Sequence, residues 1–200
     1  MKKLFFIIAL SLGMAVAAGT QTSKSDISIN ISLGGFNSVV WSDFFPSDEN
    51  SYTLAGIYGP QYADETYTPV ISIGSDLILG RRIGLYFDLA WSALSATKQD
   101  GILGDEIGKC SVNSFYAIPG VKIYWGNRPR FKLYSGVGAG AAGRLINDCG
   151  ASAFDVDFAA ELIPLGGRFR ILDDYGFYFF LDSVVGSRLS GARVGIGYAF

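Results

Sequence analysis

The chain has 200 residues, of which 50% are hydrophobic and only 17% charged, with 26 glycines and a formal charge of −2. That length bounds a single domain, and the low charge content is unusual for a soluble one. Mild acidity excludes a basic face for nucleic acid. The absence of histidine excludes Ser-His and Cys-His catalysis and histidine-based zinc sites.

The N-terminus reads as an export signal. Lys2 and Lys3 precede an apolar run over residues 4–18, broken only by Ser11 and Gly13 and ending in Ala15-Val16-Ala17-Ala18. Those are the charged, apolar and small-residue regions of a secretory peptide. A membrane anchor needs about 20 apolar residues. Residues 1–18 are expected to be cleaved, residues 19–25 to form a tail, and residues 26–200 to fold as one domain.

From there the dominant period is two, the period of a strand. Ile27, Ile29, Ile31 and Leu33 alternate with polar residues, as do Ile71, Ile73, Leu77 and Leu79. The pattern recurs over Ile83 to Trp91, Phe115 to Trp125, Phe131 to Ala139, Phe154 to Leu162, Phe177 to Val185 and Val194 to Phe200, making eight strands. Their connections alternate in length. Long or medium ones are expected over residues 37–67, 93–113 and 143–152, and tight ones at residues 80–82, 126–130 and 172–174. An immunoglobulin-like sandwich has no reason to segregate loop lengths in this way, whereas a barrel with short periplasmic turns does. The expected fold is all-β, an eight-stranded antiparallel up-and-down transmembrane β-barrel.

One face of these strands is apolar and carries no charge, which suits lipid. Lys or Arg at the bilayer midplane would cost about 2–4 kcal/mol each. The other face carries Lys122, Lys132, Arg168, Arg170 and Arg193 beside Asp76, Asp88, Asp157, Glu161 and Asp182. An ion-paired interior is expected, filled by side chains as eight strands allow. Pro119 and Pro164 fall inside strands and predict bulges. Leu162 and Phe169 differ in parity, so one extra residue is expected near Pro164.

The chain ends in Val194, Ile196, Tyr198 and Phe200 on one face. A terminal Phe behind alternating apolar and aromatic residues resembles the C-terminal assembly signal of outer-membrane barrels. Residues 26–200 thus resemble the small eight-stranded outer-membrane barrel family, and residues 54–91 are similar to its Bacteroidetes-type members. The resemblance implies a Gram-negative outer-membrane location, outer-membrane lipid around the strands and the barrel-assembly machinery as a partner during insertion. The family includes adhesion and defence proteins as well as lipid-modifying enzymes, so it does not fix an activity.

Four features could carry chemistry. Residues 138–143 match G-x-G-x-x-G with Glu161 downstream, but a dinucleotide site needs a following helix and a turn is expected instead. Asp88, Glu161 and Asp182 could serve a carboxylate-only lipid hydrolase, although inward acids more often pair with inward bases. Cys110 and Cys149, the only cysteines, fall on expected outer loops and suit a disulfide in an oxidising compartment; free thiols are the alternative. The first long connection is acidic and aromatic, with Trp41, Phe44, Phe45, Tyr52, Tyr58, Tyr62, Asp64 and Glu65. It reads either as a binding loop for an extracellular ligand or as a lid packed on the barrel mouth. The reading is a non-enzymatic barrel displaying outer loops for a structural, adhesive or ligand-binding role. It has no cofactor, catalytic residue or metal ligand and a plugged interior. The alternatives are a lipid-modifying enzyme with carboxylates at its rim and a narrow channel.

Overall fold

Alternating apolar and polar residues build strands throughout the computed structural model, which describes residues 26–37, 61–80, 82–100, 102–128, 130–148, 150–171 and 176–200. The strands are β1 (Asp26–Asn37), β2 (Gln61–Tyr67), β3 (Ile71–Leu79), β4 (Ile83–Gln99), β5 (Glu106–Asn127), β6 (Phe131–Asp148), β7 (Ala151–Arg170), β8 (Phe177–Gly186) and β9 (Leu189–Ala199). All neighbours pair antiparallel, β3 to β9 each follow their predecessor around the sheet, and β1 pairs with both β3 and β9. The ring closes through β4 and β5. Closure leaves no sheet edge in the spanning region, which a bilayer demands.

Nine strands fill eight positions, because β2 and β3 are one course beside β4 interrupted at Pro69. Proline has no amide hydrogen to offer the ladder. On either side of it the backbone stays tied, Thr68 N–H donating to Ala93 (2.9 Å) and Gly34 N–H to Val70 (3.0 Å). The eight-stranded up-and-down barrel expected from the sequence is the fold observed.

The outer face carries large apolar residues with nothing packed on them. Ile31, Ile73, Ile123, Val137 and Ile196 are each 55–60% exposed. Aromatic residues bound this band. Trp91 pairs with Phe115 toward one end. At the other, Phe131 packs at a tilt on Phe169 at 4.6 Å and Phe177 meets Tyr198 edge to face at 5.0 Å between ring centroids. Two such girdles around an apolar belt are the surface a lipid-embedded barrel presents.

Beyond the upper girdle the expected loops turn out to be strand. The connection predicted over residues 93–113 shrinks to residues 100–105, and that over residues 143–152 to residues 149–150, because β4, β5, β6 and β7 run on as paired ladders. The tail of the first connection is β2. The physical reason is an inversion of the pattern. Below the girdle apolar residues point out to lipid. Above it Leu94, Ala96 and Val112 point inward and are buried, while Ser95, Thr97, Ser111 and Asn113 alternate with them. Read for an apolar outer face, this stretch looks like a loop.

The bulge expected at Pro164 is present. Gly166 pairs with Tyr134 and Ile163 with Gly136, so two residues oppose Ser135. A bulge inside the apolar belt frees backbone groups that lipid cannot satisfy. Two outward hydroxyls do so instead. Ser183 Oγ accepts from Leu165 N–H (3.2 Å) and donates to its carbonyl (3.0 Å), and Ser135 Oγ donates to the Pro164 carbonyl (2.7 Å). Pro119 differs: β5 keeps its register with β4 and β6 on both sides of it, with no extra residue. The neighbouring glycine on β6, Gly140, admits Ala117 so closely that a Cβ there would collide with its carbonyl.

Candidate functional site

The inward rows converge on a charged centre at mid-barrel. Arg193 of β9 donates through Nη1 to Asp88 of β4 at 2.8 Å and through Nη2 to Asp182 of β8 at 3.2 Å. All three are nearly or wholly buried. Tyr134 donates its hydroxyl to Asp182 at 2.5 Å. One layer nearer the short turns, Asp76 accepts from Lys122 (2.5 Å) and Asn30 (3.2 Å). The Lys122 ammonium lies 4.9 Å from the ring centroids of both Tyr86 and Tyr134. Glu161 accepts from Tyr86 at 2.8 Å. Arg168 lies over the Tyr178 ring at 3.5 Å and donates to Ser28. Lys132 is half-buried opposite Arg168 on the neighbouring strand.

Glycines make room for these rings. A Cβ on Gly120 would collide with the Tyr86 ring, on Gly166 with Tyr134, and on Gly197 with Tyr178. The G-x-G-x-x-G run belongs to this packing. It lies wholly within β6, no helix follows, and a Cβ on Gly138 would strike the Tyr86 hydroxyl. A dinucleotide has no site there.

Immediately above the charged centre an apolar layer crosses the lumen. Val70, Ala90, Tyr116, Ile118, Ala142, Ala159 and Leu189 form one buried contact cluster contributed by almost every course of the ring. Above that layer a second charged group lines the outer mouth. Asp157 accepts from Arg188 of the β8–β9 connection, and Arg144 of β6 donates to Asp155. Sequence reasoning paired Asp157 within the interior and assigned Arg144 to a connection, so this cation was missed. Its signal was parity: Arg144 continues the inward row of Tyr134 and Ala142.

The raised strands form a wall of β2, β4, β5, β6 and β7 over one side of the mouth, while β8 and β9 end near the girdle. β7 pairs with β8 only from Glu161 onward. Ala160 turns its N–H and its carbonyl toward Ser187 on the β8 side, so Ser152, Phe154 and Val156, of the same parity, turn theirs the same way. Among the described residues no strand meets them there. Phe154 and Val156 are also 64% and 62% exposed.

Of the residues proposed for a binding loop, Asp64 and Glu65 stand exposed on β2, at a register shift where Asp64 adopts φ +54°. Glu65 accepts from Tyr67. Tyr62 lies on the same strand, and Trp41, Phe44, Phe45, Tyr52 and Tyr58 lie outside the described residues. In the β4–β5 turn, Asp100 accepts the N–H groups of Leu103 (3.0 Å) and Ile102 (2.8 Å), and these two amides hold its carboxyl below the ordinary value. Its support of the turn is therefore full above a pH of about 4 and fades as pH falls through the lowered pKa. Cys110, buried on β5, donates to Asp148 at 3.1 Å, and Cys149 is outside the described residues.

No family model matches the chain, and no curated protein matches it either. Solved structures are similar to it at low identity. Ail, the attachment invasion locus protein of Yersinia pestis, in complex with the heparin analogue sucrose octasulfate, shares 14% identity. The match covers 88% of this chain and 97% of that one, with a TM-score of 0.47. Neisserial surface protein A shares 8% over 89% and 98% at 0.47. The N-terminal β-barrel domain of Pseudomonas aeruginosa OprF shares 10% over 86% and 97% at 0.45.

Proposed function

We propose that this chain is a non-enzymatic outer-membrane barrel of a Gram-negative envelope whose raised wall binds a macromolecule at the cell surface. The observation that carries the binding role is the open edge of β7. Main-chain groups that meet no strand among the described residues, beside exposed Phe154 and Val156, offer a partner strand both a ladder and side-chain contacts, the two elements of recognition by strand addition. Soluble folds cover or blunt such an edge.

Several observations support the rest of this reading. The apolar belt between aromatic girdles suits outer-membrane lipid. The alternation ending in Val194, Ile196, Tyr198 and Phe200 suits recognition by the assembly machinery, and residues 1–18 suit export and cleavage. The similarity of residues 54–91 to Bacteroidetes-type barrels suits a source in that group. Asp88 and Asp182 share Arg193 deep in the lumen, and Glu161 is held by Tyr86, so none is poised at a rim for hydrolysis. The apolar layer above them closes the lumen. An oxidising compartment suits a Cys110–Cys149 bridge in place of the Cys110 thiol's bond to Asp148; the same gel mobility with and without reductant would rule this out.

Val156→Pro deletes one edge donor and leaves the ladder to β6 in place, the position where a strand tolerates proline. Cells expressing this variant should adhere less to epithelial monolayers than cells expressing the parent. A cysteine placed at Asp105, in a chain lacking Cys110 and Cys149, should take an impermeant maleimide on intact cells equally in both. Equal adherence at equal labelling would sink the edge as the binding element. A label that never reaches position 105 would sink the surface display itself.

A further inference from the structure

Among the described residues the two ends of the barrel differ in charge. At the long-strand end, Asp64, Glu65, Asp100, Asp105 and Glu106 outnumber Lys98 and Lys109 on the rim. At the short-turn end Arg82 of the β3–β4 turn, Arg128 and Arg130 of the β5–β6 turn and Arg170 at the end of β7 stand together. Among the described side chains no Asp or Glu stands on that rim, although the Phe200 carboxylate lies beside the start of β1. Asp173 and Asp174, in the β7–β8 connection, lie outside the described residues, as does Arg81. Arg82, Arg128 and Arg130 are exposed and Arg170 half-buried.

The backbone fixes where these cations stand. Tyr124 N–H donates to the Arg82 carbonyl (2.7 Å), Arg170 N–H to Arg130 (2.9 Å), and Arg128 exchanges bonds with Phe131. Arg82, Arg128 and Arg130 stand exposed at the rim just outside the lower aromatic girdle, where Trp125, Phe131, Phe169 and Phe177 mark the level of the headgroups, and Arg170, on the inward parity of Arg168, is half-buried at the same level.

We infer that this arginine collar binds the phosphodiester headgroups of anionic phospholipids in the leaflet facing the short turns. The inference rests on the membrane reading above. Its logic is charge complementarity at a defined depth. Guanidinium matches phosphate geometry with paired donors, and basic side chains held at a membrane surface attract anionic lipid. The acidic rim opposite repels the same headgroups, so the chain carries a preference for one leaflet composition at each end.

The test uses the full mature chain refolded into vesicles, with spin-labelled phosphatidylglycerol and phosphatidylcholine as probes of the lipid in contact with the barrel. At low salt phosphatidylglycerol should be favoured by about fivefold, the factor that one well-placed charge supplies. The preference should vanish in the R82Q/R128Q/R130Q/R170Q variant and persist in D64N/E65Q. No preference in the parent chain, or an unchanged one in the arginine variant, overturns the inference. Displacement of the labelled lipid by millimolar inorganic phosphate overturns it too, since the site would then be one for free phosphate. Insertion is scored separately in pure phosphatidylcholine by heat-modifiable gel mobility. A chain that fails to insert there sinks the membrane reading, whereas one that inserts without preference sinks only the collar.

Discussion

Arg193 holds two carboxylates that would otherwise face each other in a dry interior. Removing one partner of a buried ion pair is costly, about 3–5 kcal/mol, because the charge left behind is uncompensated. Arg193→Ala should therefore destabilise the barrel by about that amount in urea unfolding from vesicles. The triple variant R193A/D88N/D182N should recover most of the loss, since neither Asp88 nor Asp182 then leaves a charge unpaired. A triple variant no more stable than R193A would mean that Arg193 acts through packing alone. The inward parity of Asp76, Asp88, Lys122 and Asp182 is legible in the alternation. Their pairing is not, because it depends on which strands face each other across the lumen and on glycines opposite the tyrosines.

The bulge in β7 inverts an ordinary rule for lipid-facing residues. On a regular strand, replacing an outward serine by alanine should favour the membrane. Here Ser183 satisfies both backbone groups of Leu165. Ser183→Ala leaves them without partners in hydrocarbon, so it should cost about 1–3 kcal/mol despite the more apolar surface. Unfolding from vesicles measures it, with Ser75→Ala, at a regular position on β3, as the control. A neutral S183A would show that the bulge finds other partners. The Leu162 and Phe169 parity clash announced this irregularity from sequence alone. The long third connection was misread for the opposite reason: period two continued through β4 and β5, but with Leu94, Ala96 and Val112 switched to the inner face above the girdle.

Taken whole, the barrel is a stack of layers, with a charged mouth, an apolar layer, a charged centre and an aromatic base. On the proposed closed lumen, the apolar layer of Val70, Ile118 and Leu189 denies ions a polar path. Planar-bilayer recordings should show no steady conductance for the parent chain. Leu189→Asp, which puts a charge into that layer, should give measurable openings if the variant still inserts. Steady conductance of the unaltered chain would count against a closed lumen.

The seam between β1 and β9 joins the first and the last of the strands. Phe200 N–H donates to the Ile27 carbonyl at 2.9 Å, so the pairing of β9 with β1 runs to the start of β1. Until β9 arrives, β1 and β8 each present a bare flank, and neither water nor lipid tolerates such a flank for long. Completion is thus a ring-closing event between strands far apart in the sequence. A ribosome that stops one strand short releases a ribbon prone to pair with its own kind.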